Sequence, residues 1–513
     1  MGRRREEGKE EADCSTDEDF DDAKASGCCG MLLSSMFTPK SRLRESKTAQ
    51  EYQADRPLLG TSNTRSIPFY NVLWASLVNS TITINYCASI SKTVVRAQTV
   101  SYPLSSTPEL ANVWLHKLLD RSYLQSQKRK RALVLVNPHA GKGSAEKWWK
   151  RDIEPIFKAA RVSMEVLITT YQGEAVGICE NMNIDAYDMV VSCSGDGLPH
   201  EVFNGLGKRR DAKRALGKIA VVQMPCGSGN AMSCNLTGSA SPSLAALGTV
   251  KGITAPLDLI SITQGQTRTL SFLSQSVGIV AESDLATEHI RWMGQARFTY
   301  GFLIRLIKKR VYPCDVAVKV AVEGKEKIKE HWAREASELE SKAAREERHH
   351  IEDDASASTS TIAADGDGLP PLKYGTINDK LPTDWEVVKH DKMGNFYCGN
   401  MSYMAADANF FPAALPNDGL MDLVNIEGDI ARHSALDLML AVESGNFFDK
   451  PLVNYRKVLG YRITPRDQTE GYISIDGERV PFAPFQAEVH RGLGTTLAKR
   501  VHRFEAAGPR GEL

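Results

Sequence analysis

The residues best suited to chemistry lie in three glycine-rich turns. They are Asn137-Pro138-His139-Ala140-Gly141-Lys142-Gly143, Ser194-Gly195-Asp196-Gly197 and Pro225-Cys226-Gly227-Ser228-Gly229-Asn230. A strand that ends in such a turn before a helix gathers free backbone N–H groups at one point, an arrangement suited to phosphate. In the second turn, glycines flank a carboxylate on both sides, so Asp196 can approach a phosphate–metal group or accept a proton from a hydroxyl. One turn alone is weak: a tight β–α corner accounts for its glycines equally well, and Asp-Gly is a common turn signal. Three at successive strand ends point to a nucleotide-binding face. Other motifs fail on spacing. The first turn lacks the GxxxxGK[ST] order, and His200-Glu201 lacks the second histidine of HExxH because position 204 is Asn.

The elements around these turns follow from periodicity. Strand-like runs Leu133–Val136, Met164–Thr169, Met189–Cys193 and Ile219–Met224 alternate with helix-like segments. After the first turn, Trp149, Ile153, Ile156, Phe157 and Ala160 recur at helical spacing. Such alternation predicts an α/β domain with a parallel sheet over 126–270, binding ligands beyond the strands' carboxyl ends. After Lys309 the alternation stops. The runs Asp315–Val322, Trp385–Lys389, Met421–Ile426, Tyr461–Thr464 and Tyr472–Ile475 predict a β-rich second domain over 271–500. Inside it, 323–382 is charged, Ser/Thr-rich and aperiodic, which predicts a disordered surface insertion. A small β module is expected over 67–125, a disordered tail over 1–66 and a short tail over 501–513.

Composition sets the outer limits. The chain has 513 residues, 42% hydrophobic and 25% charged, which excludes a wholly disordered chain, a collagen and a multi-span membrane protein. Lys plus Arg and Asp plus Glu both number 63, so no global basic field argues for nucleic acid. The ten cysteines form no CxxC, zinc spacing or disulfide framework, which favours a reducing, cytoplasmic compartment. No run reaches the roughly 18 apolar residues of a membrane span, so membrane contact is expected from the side. Cys28-Cys29, in the apolar island Gly27–Leu33, is a candidate S-acylation site; two merely exposed cysteines are the plain alternative. Position 6 is Glu, which does not support myristoylation at Gly2. The amphipathic, basic segment 297–310 is of a type that binds calmodulin or anionic membrane, while a core-facing helix with a basic end reads equally well.

Taken in order, the three turns, with Ser194-Gly195-Asp196-Gly197-Leu198-Pro199-His200-Glu201-Val202-Phe203-Asn204-Gly205 as the central stretch, resemble the diacylglycerol kinase catalytic domain superfamily. Within it the chain resembles the sphingosine kinases, specifically the fungal sphingoid long-chain-base kinases, over about 130–310 and 380–490. The resemblance implies an α/β nucleotide-binding domain, a C-terminal β-sandwich that houses the lipid, and ATP with Mg²⁺ in the cleft between them. It implies nucleotide contacts at Asn137, Pro138, His139, Thr169, Gly173, Glu201, Gly227, Ser228 and Gly229, and Asp196 as catalytic base. Tyr171, Gln172 and Gly173 stand where some relatives carry basic residues. Ser194, Gly195 and Gly197 are implied beside the substrate, and Asp476-Gly477-Glu478 closing on the phosphates. Arg291 and Arg297, seven and thirteen residues beyond Asp284, match the family's phosphate-holding arginines. Asp284 itself is implied at the substrate's ammonium; a helix N-cap is the local alternative.

The implied reaction is phosphorylation of the primary hydroxyl of sphingoid bases to the 1-phosphate, by an enzyme peripherally attached to cellular membranes. A ceramide or diacylglycerol kinase and an inactive lipid-binding adaptor remain open. The sequence identifies no direct metal ligand.

Overall fold

The computed structural model describes residues 66–287, 310–352 and 368–509. The chain divides into Met1–Phe69 and Tyr70–Leu513, and every sheet and the cleft belong to the second unit. Cys28, Cys29, Arg291, Arg297 and almost all of the basic segment 297–310 lie outside the described residues.

Three antiparallel strands, β1 (Val72–Val78), β2 (Thr81–Ser91) and β3 (Val94–Pro103), form the N-terminal β module, which ends in the helix Pro108–Tyr123. Two buried lysines join it to the next domain. Lys251 donates to the Val72 and Ser122 carbonyls, and Lys130 to the Val250 carbonyl and the Ser126 hydroxyl. Burial pulls both ammonium pKa values down, to about 7 for Lys251 and about 8 for Lys130.

The α/β domain is built on β4 (Arg131–Val136), β5 (Ser163–Ile168), β6 (Met189–Ser194) and β7 (Ala220–Pro225), paired in parallel in the order β5-β4-β6-β7. β6 and β7 are buried throughout, as strands covered on both faces must be. The helices Gly197–Gly207 and Ala231–Thr237 follow them directly, so the second and third turns leave adjacent strand ends.

Next come β8 (Ile253–Gln264), β9 (Thr267–Ser271), β10 (Ser274–Gly278), β11 (Cys314–Glu323), β12 (Glu386–His390) and β13 (Met393–Gly399). A small hairpin of β14 (Tyr403–Ala405) and β15 (Ala408–Asn409) leads to β16 (Met421–Glu427), β17 (Asn454–Pro465), β18 (Ile473–Ile475), β19 (Glu478–Val480) and β20 (Phe485–Ala498). Apart from the hairpin these strands form one eleven-stranded antiparallel sheet, whose path runs β19-β18-β10-β13-β16-β17-β20-β8-β9. Ile260, Val277, Phe396, Tyr461, Ile475 and Phe485, from six of its strands, share one core, so the sheet curls around it as a sandwich does.

Three expectations need correction. β8 and β9 precede position 271 yet belong to this sheet, because β8 pairs with the last strand, β20, a partner more than 200 residues away. The segment 323–382 is not structureless: the helix Lys325–Glu352 begins it, and Ile328, Trp332 and Ala336 pack inward along a stripe one residue wide. Later in the same segment, the Lys373 and Tyr374 N–H groups donate to the buried Glu488 carboxylate. The C-terminal tail packs too: Phe504 is buried in the core and Glu505 N–H bonds the Asn235 carbonyl at 2.7 Å.

Candidate active site

A cavity of about 1050 Å³ lies beyond the carboxyl ends of the parallel strands and extends over one face of the antiparallel sheet. Its polar end is made by the three turns. Cys226 N–H donates to the Ser194 carbonyl at 3.0 Å and Asn137 N–H to the Cys193 carbonyl at 3.2 Å, so strand pairing runs on into the turns. A Cβ on Gly227 would stand 2.2 Å from Gly195 Cα; only glycine lets the second and third turns touch backbone to backbone. Asn230 closes the third turn, accepting from Gly227 N–H at 2.8 Å and donating to its carbonyl at 2.9 Å. In the first turn, Asn137 Oδ1 accepts from His139 N–H at 2.9 Å.

Asp196 faces the cavity but is held from behind. Oδ1 accepts from Gln223 Nε2 and Met232 N–H, and Oδ2 from Ala231 N–H, each at 3.1 Å. Burial raises its pKa, with the Asp476 charge adding to it, against the lowering effect of those three donors. Gln223 is itself fixed, since its Oε1 accepts from Ser233 N–H at 2.9 Å. Sequence reading missed Gln223; the only signal is a polar residue inside an otherwise apolar strand.

The loop after β5 forms the next wall. Thr169, Thr170, Tyr171 and Gln172 line it, whereas Gly173 and Pro138 are absent from the lining. Gly173, at φ +89°, starts the helix Glu174–Asn181. Glu201 accepts from Ala175 N–H at 3.2 Å and so ties this helix to the second turn. Burial, aided by the charge of Glu478, pushes the Glu201 pKa up despite the backbone donors of Gly173 and Ala175.

Asp476-Gly477-Glu478 closes the opposite side. Asp476 turns inward: Ser271 Oγ and the N–H groups of Phe272, Leu273 and Ser274 donate to it, and His200 Nδ1 lies 2.8 Å away. Glu478 faces the cleft and accepts from Gln172 Nε2 at 2.9 Å, which bridges the two domains. Its other oxygen lies 2.7 Å from where a Cβ of Gly197 would be, so Glu478 lies over the start of the helix after the second turn. Asp284, near the end of the helix Ile279–Leu285, comes close to Gly477, its Oδ2 3.8 Å from the site of a Cβ there. It does not stand at the N-cap, which is Gly278.

The far end of the cavity is apolar. The Tyr397 ring lies 4.9 Å from Phe411 and 5.1 Å from Phe410, and Phe410 lies 5.4 Å from Phe447. Leu438, Met439 and Val442 of the helix Arg432–Glu443 complete this wall. The structure therefore brings Asn137, His139, Thr169, Ser194, Gly195, Asp196, Gly197, Glu201, Gly227, Ser228, Gly229, Asp284, Asp476, Gly477 and Glu478 to one cavity.

Comparison with known proteins agrees with this architecture. Residues 131–262 match the diacylglycerol kinase catalytic domain, 377–495 the YegS C-terminal NAD kinase beta sandwich-like domain, and 14–124 a domain of unknown function. A solved putative diacylglycerol kinase from Bacillus anthracis str. Sterne shares the fold at 17% identity and TM-score 0.50, over 73% of this chain and 97% of that one. Fold and site together define a two-domain kinase of the diacylglycerol kinase catalytic type.

Sphingoid long chain base kinase 4 of Schizosaccharomyces pombe is 33% identical over 435 residues, 84% of this chain and 88% of the relative. Sphingoid long chain base kinase 5 of Saccharomyces cerevisiae is 35% identical over 430 residues, 75% of this chain and 61% of that longer relative. The chain belongs to the sphingoid long-chain-base kinase family.

Proposed function

We propose that the chain transfers the γ-phosphoryl group of ATP to the primary hydroxyl of a sphingoid long-chain base, giving the 1-phosphate and ADP. The observation that carries this reading is that Asp196 and Asp284 face one cavity, which runs from three glycine turns to an aromatic and aliphatic end. The turns hold the nucleotide: Asn137, Pro138 and His139 on one side, Gly227, Ser228 and Gly229 on the other. Thr169, Gly173 and Glu201 fix the loop beside it. Arg291 and Arg297 supply positive charge for the phosphates, and Glu478 closes over them on the anchor made by Asp476 and Gly477.

Phosphoryl transfer through a loose transition state depends mainly on positioning and charge stabilisation. Asp196 Oδ2 accepts from Ala231 N–H and keeps acceptor capacity for the substrate hydroxyl. It orients that hydroxyl for in-line attack and takes its proton, with Ser194, Gly195 and Gly197 beside the headgroup. Mg²⁺ fits the donors present. Glu201 and Glu478 offer hard oxygens on the same cavity, which would hold an ion that also takes oxygens from nucleotide and water. Bound there, it would neutralise charge on the transferring group.

Asp284 selects the lipid. A carboxylate gains a charge-assisted hydrogen bond from the base's ammonium. A diacylglycerol offers it no such donor, and the missing charge-assisted bond is worth on the order of 1–3 kcal/mol. The test is a radiolabelled-ATP assay against sphinganine, phytosphingosine, ceramide and diacylglycerol. Phosphorylation of the free bases alone is expected; diacylglycerol accepted in place of sphinganine would overturn the reading.

The substrate resides in membranes, and among the described residues no helix is long and apolar enough to cross one. The reading therefore includes peripheral docking from the cytoplasm, with Cys28-Cys29 acylated and segment 297–310 facing anionic lipid or calmodulin. Serine at both cysteines should move the protein to the soluble fraction; unchanged membrane recovery would assign docking elsewhere.

A further inference from the structure

The cleft-facing side of the antiparallel sheet has an unusual composition. In β10, β13 and β18 the residues turned to the second core are Val277, Phe396, Cys398, Ile473 and Ile475. On the other face, Ser276 stands directly opposite Tyr397 on β13 and opposite Ser474 on β18. Opposed residues in antiparallel strands project to the same side. All three line the cavity, and each is at most 5% exposed. They make one rung of hydroxyl groups across three neighbouring strands.

The rung has a direction. Ser474 is two residues from Asp476 and four from Glu478, at the end where the phosphates are placed. Tyr397, at the other end, packs its ring on Phe410 and Phe411, where the apolar wall begins. Burial raises the Tyr397 pKa against a hydrogen bond with the Ser274 side chain, and the charges of Asp284, Asp196 and Asp476 add to the rise.

We infer that the rung Ser474–Ser276–Tyr397 reads the secondary hydroxyls of the base, and that Tyr397 selects substrates bearing an extra hydroxyl at C4, where the polar head meets the tail. The inference rests on the proposed kinase reaction. With C1 at Asp196 and the C2 ammonium at Asp284, the chain continues along the rung toward the aromatic wall. The C3 hydroxyl falls to the two serines and the C4 hydroxyl to the phenol. A site whose buried hydroxyl bonds a substrate hydroxyl discriminates against the analogue that lacks it, because its own group then has one partner fewer; Tyr397 would keep only Ser274.

The test compares two saturated C18 bases that differ only at C4, sphinganine and phytosphingosine, with the full chain in mixed micelles. The wild-type protein should favour phytosphingosine in kcat/KM by about tenfold, the worth of one such hydrogen bond. Tyr397→Phe should erase the preference by lowering kcat/KM for phytosphingosine about tenfold more than for sphinganine. Ser276→Ala, which removes a hydroxyl that meets C3 in both bases, should lower kcat/KM for both by a similar factor and leave the ratio standing. A wild-type ratio at or below one, which needs no variant, a ratio that survives Tyr397→Phe, or a Ser276→Ala protein unchanged toward both bases would overturn the inference. Failure of the wild-type protein to phosphorylate either base would sink the kinase reading instead.

Discussion

Gln223 Nε2 donates to Asp196 Oδ1 at 3.1 Å, while Gln223 Oε1 accepts from Ser233 N–H at 2.9 Å. The amide thus fixes the orientation of the reacting carboxylate by tying it to the helix that follows the third turn. Gln223→Leu keeps the strand apolar but removes both bonds. We expect kcat to fall about tenfold with KM for ATP little changed, and a loss of about 1–3 kcal/mol for the stranded Ser233 N–H. Steady-state kinetics and denaturant unfolding would check the two effects; a change in KM alone would remove Gln223 from its positioning role.

Asp196→Asn should reduce turnover by at least about a hundredfold, on the scale of general-base catalysis, and leave ATP affinity by calorimetry largely intact. Burial raises the Asp196 pKa, so the ionised, proton-accepting form is lost at a higher pH than for an ordinary carboxylate. The acid limb of kcat should accordingly lie above about pH 4. A flat profile down to that pH would argue that Asp196 does not accept the proton.

Gly227→Ala places a methyl group 2.2 Å from Gly195 Cα, and both groups are backbone-bound and cannot rotate away. The second and third turns must separate. Overpacking of this kind costs about 1–3 kcal/mol. The expected result is a lower melting temperature together with weakened nucleotide binding, measured by thermal shift with and without ATP. Unchanged nucleotide affinity would show that contact between the turns is dispensable.

His200 and Asp476 give a pH signature in stability. Burial presses the imidazole toward neutrality, but the hydrogen bond and charge of Asp476 outweigh it, and the His200 pKa is raised. A raised folded-state pKa contributes stability that is fully present below the unfolded value, about 6.5, and is lost as pH rises through the folded value. The melting temperature of the wild-type protein should decline over that alkaline step, and His200→Gln should flatten it. A parallel decline in both proteins would assign the step to other groups.

Asp284→Asn removes the charge proposed to meet the ammonium. We expect kcat/KM for sphinganine to fall by about ten- to a hundredfold, the worth of a charge-assisted hydrogen bond, with relatively little change for lipids lacking an amine. A competition assay between sphinganine and diacylglycerol would detect it. Retention of the wild-type preference would shift lipid selection to the apolar wall or the hydroxyl rung.

Much of this was legible in the residues. The alternation of apolar runs with helix-spaced segments located β4 to β7 within one or two residues at each end; for β4, β6 and β7 this is because burial on both faces of a parallel sheet leaves a continuous apolar signature. The three turns showed themselves through glycines whose backbones must approach one another. The strand Met393–Gly399 escaped notice, as did Ser274–Gly278, because Ser274, Ser276 and Asn395 on the cleft face, together with Gln275 and the glycines, dilute the β-branched pattern by which strands are recognised. The helix Lys325–Glu352 escaped for a related reason: its buried stripe is a single residue wide within a charged face.

The sequence by itself determined which stretches are strands of the α/β domain, which turns suit phosphate and which acids are available. It could do so because periods of two and 3.6 residues are local properties of the chain. Tertiary structure decided which acid faces the cleft and which is spent as an anchor. Asp476 and Glu478 are two residues apart, yet one is bound to His200 and the other to Gln172, partners 276 and 306 positions away. Pairings at such separations leave no periodic trace. They arise only when two cores, each satisfying its own pattern, bring their edges together.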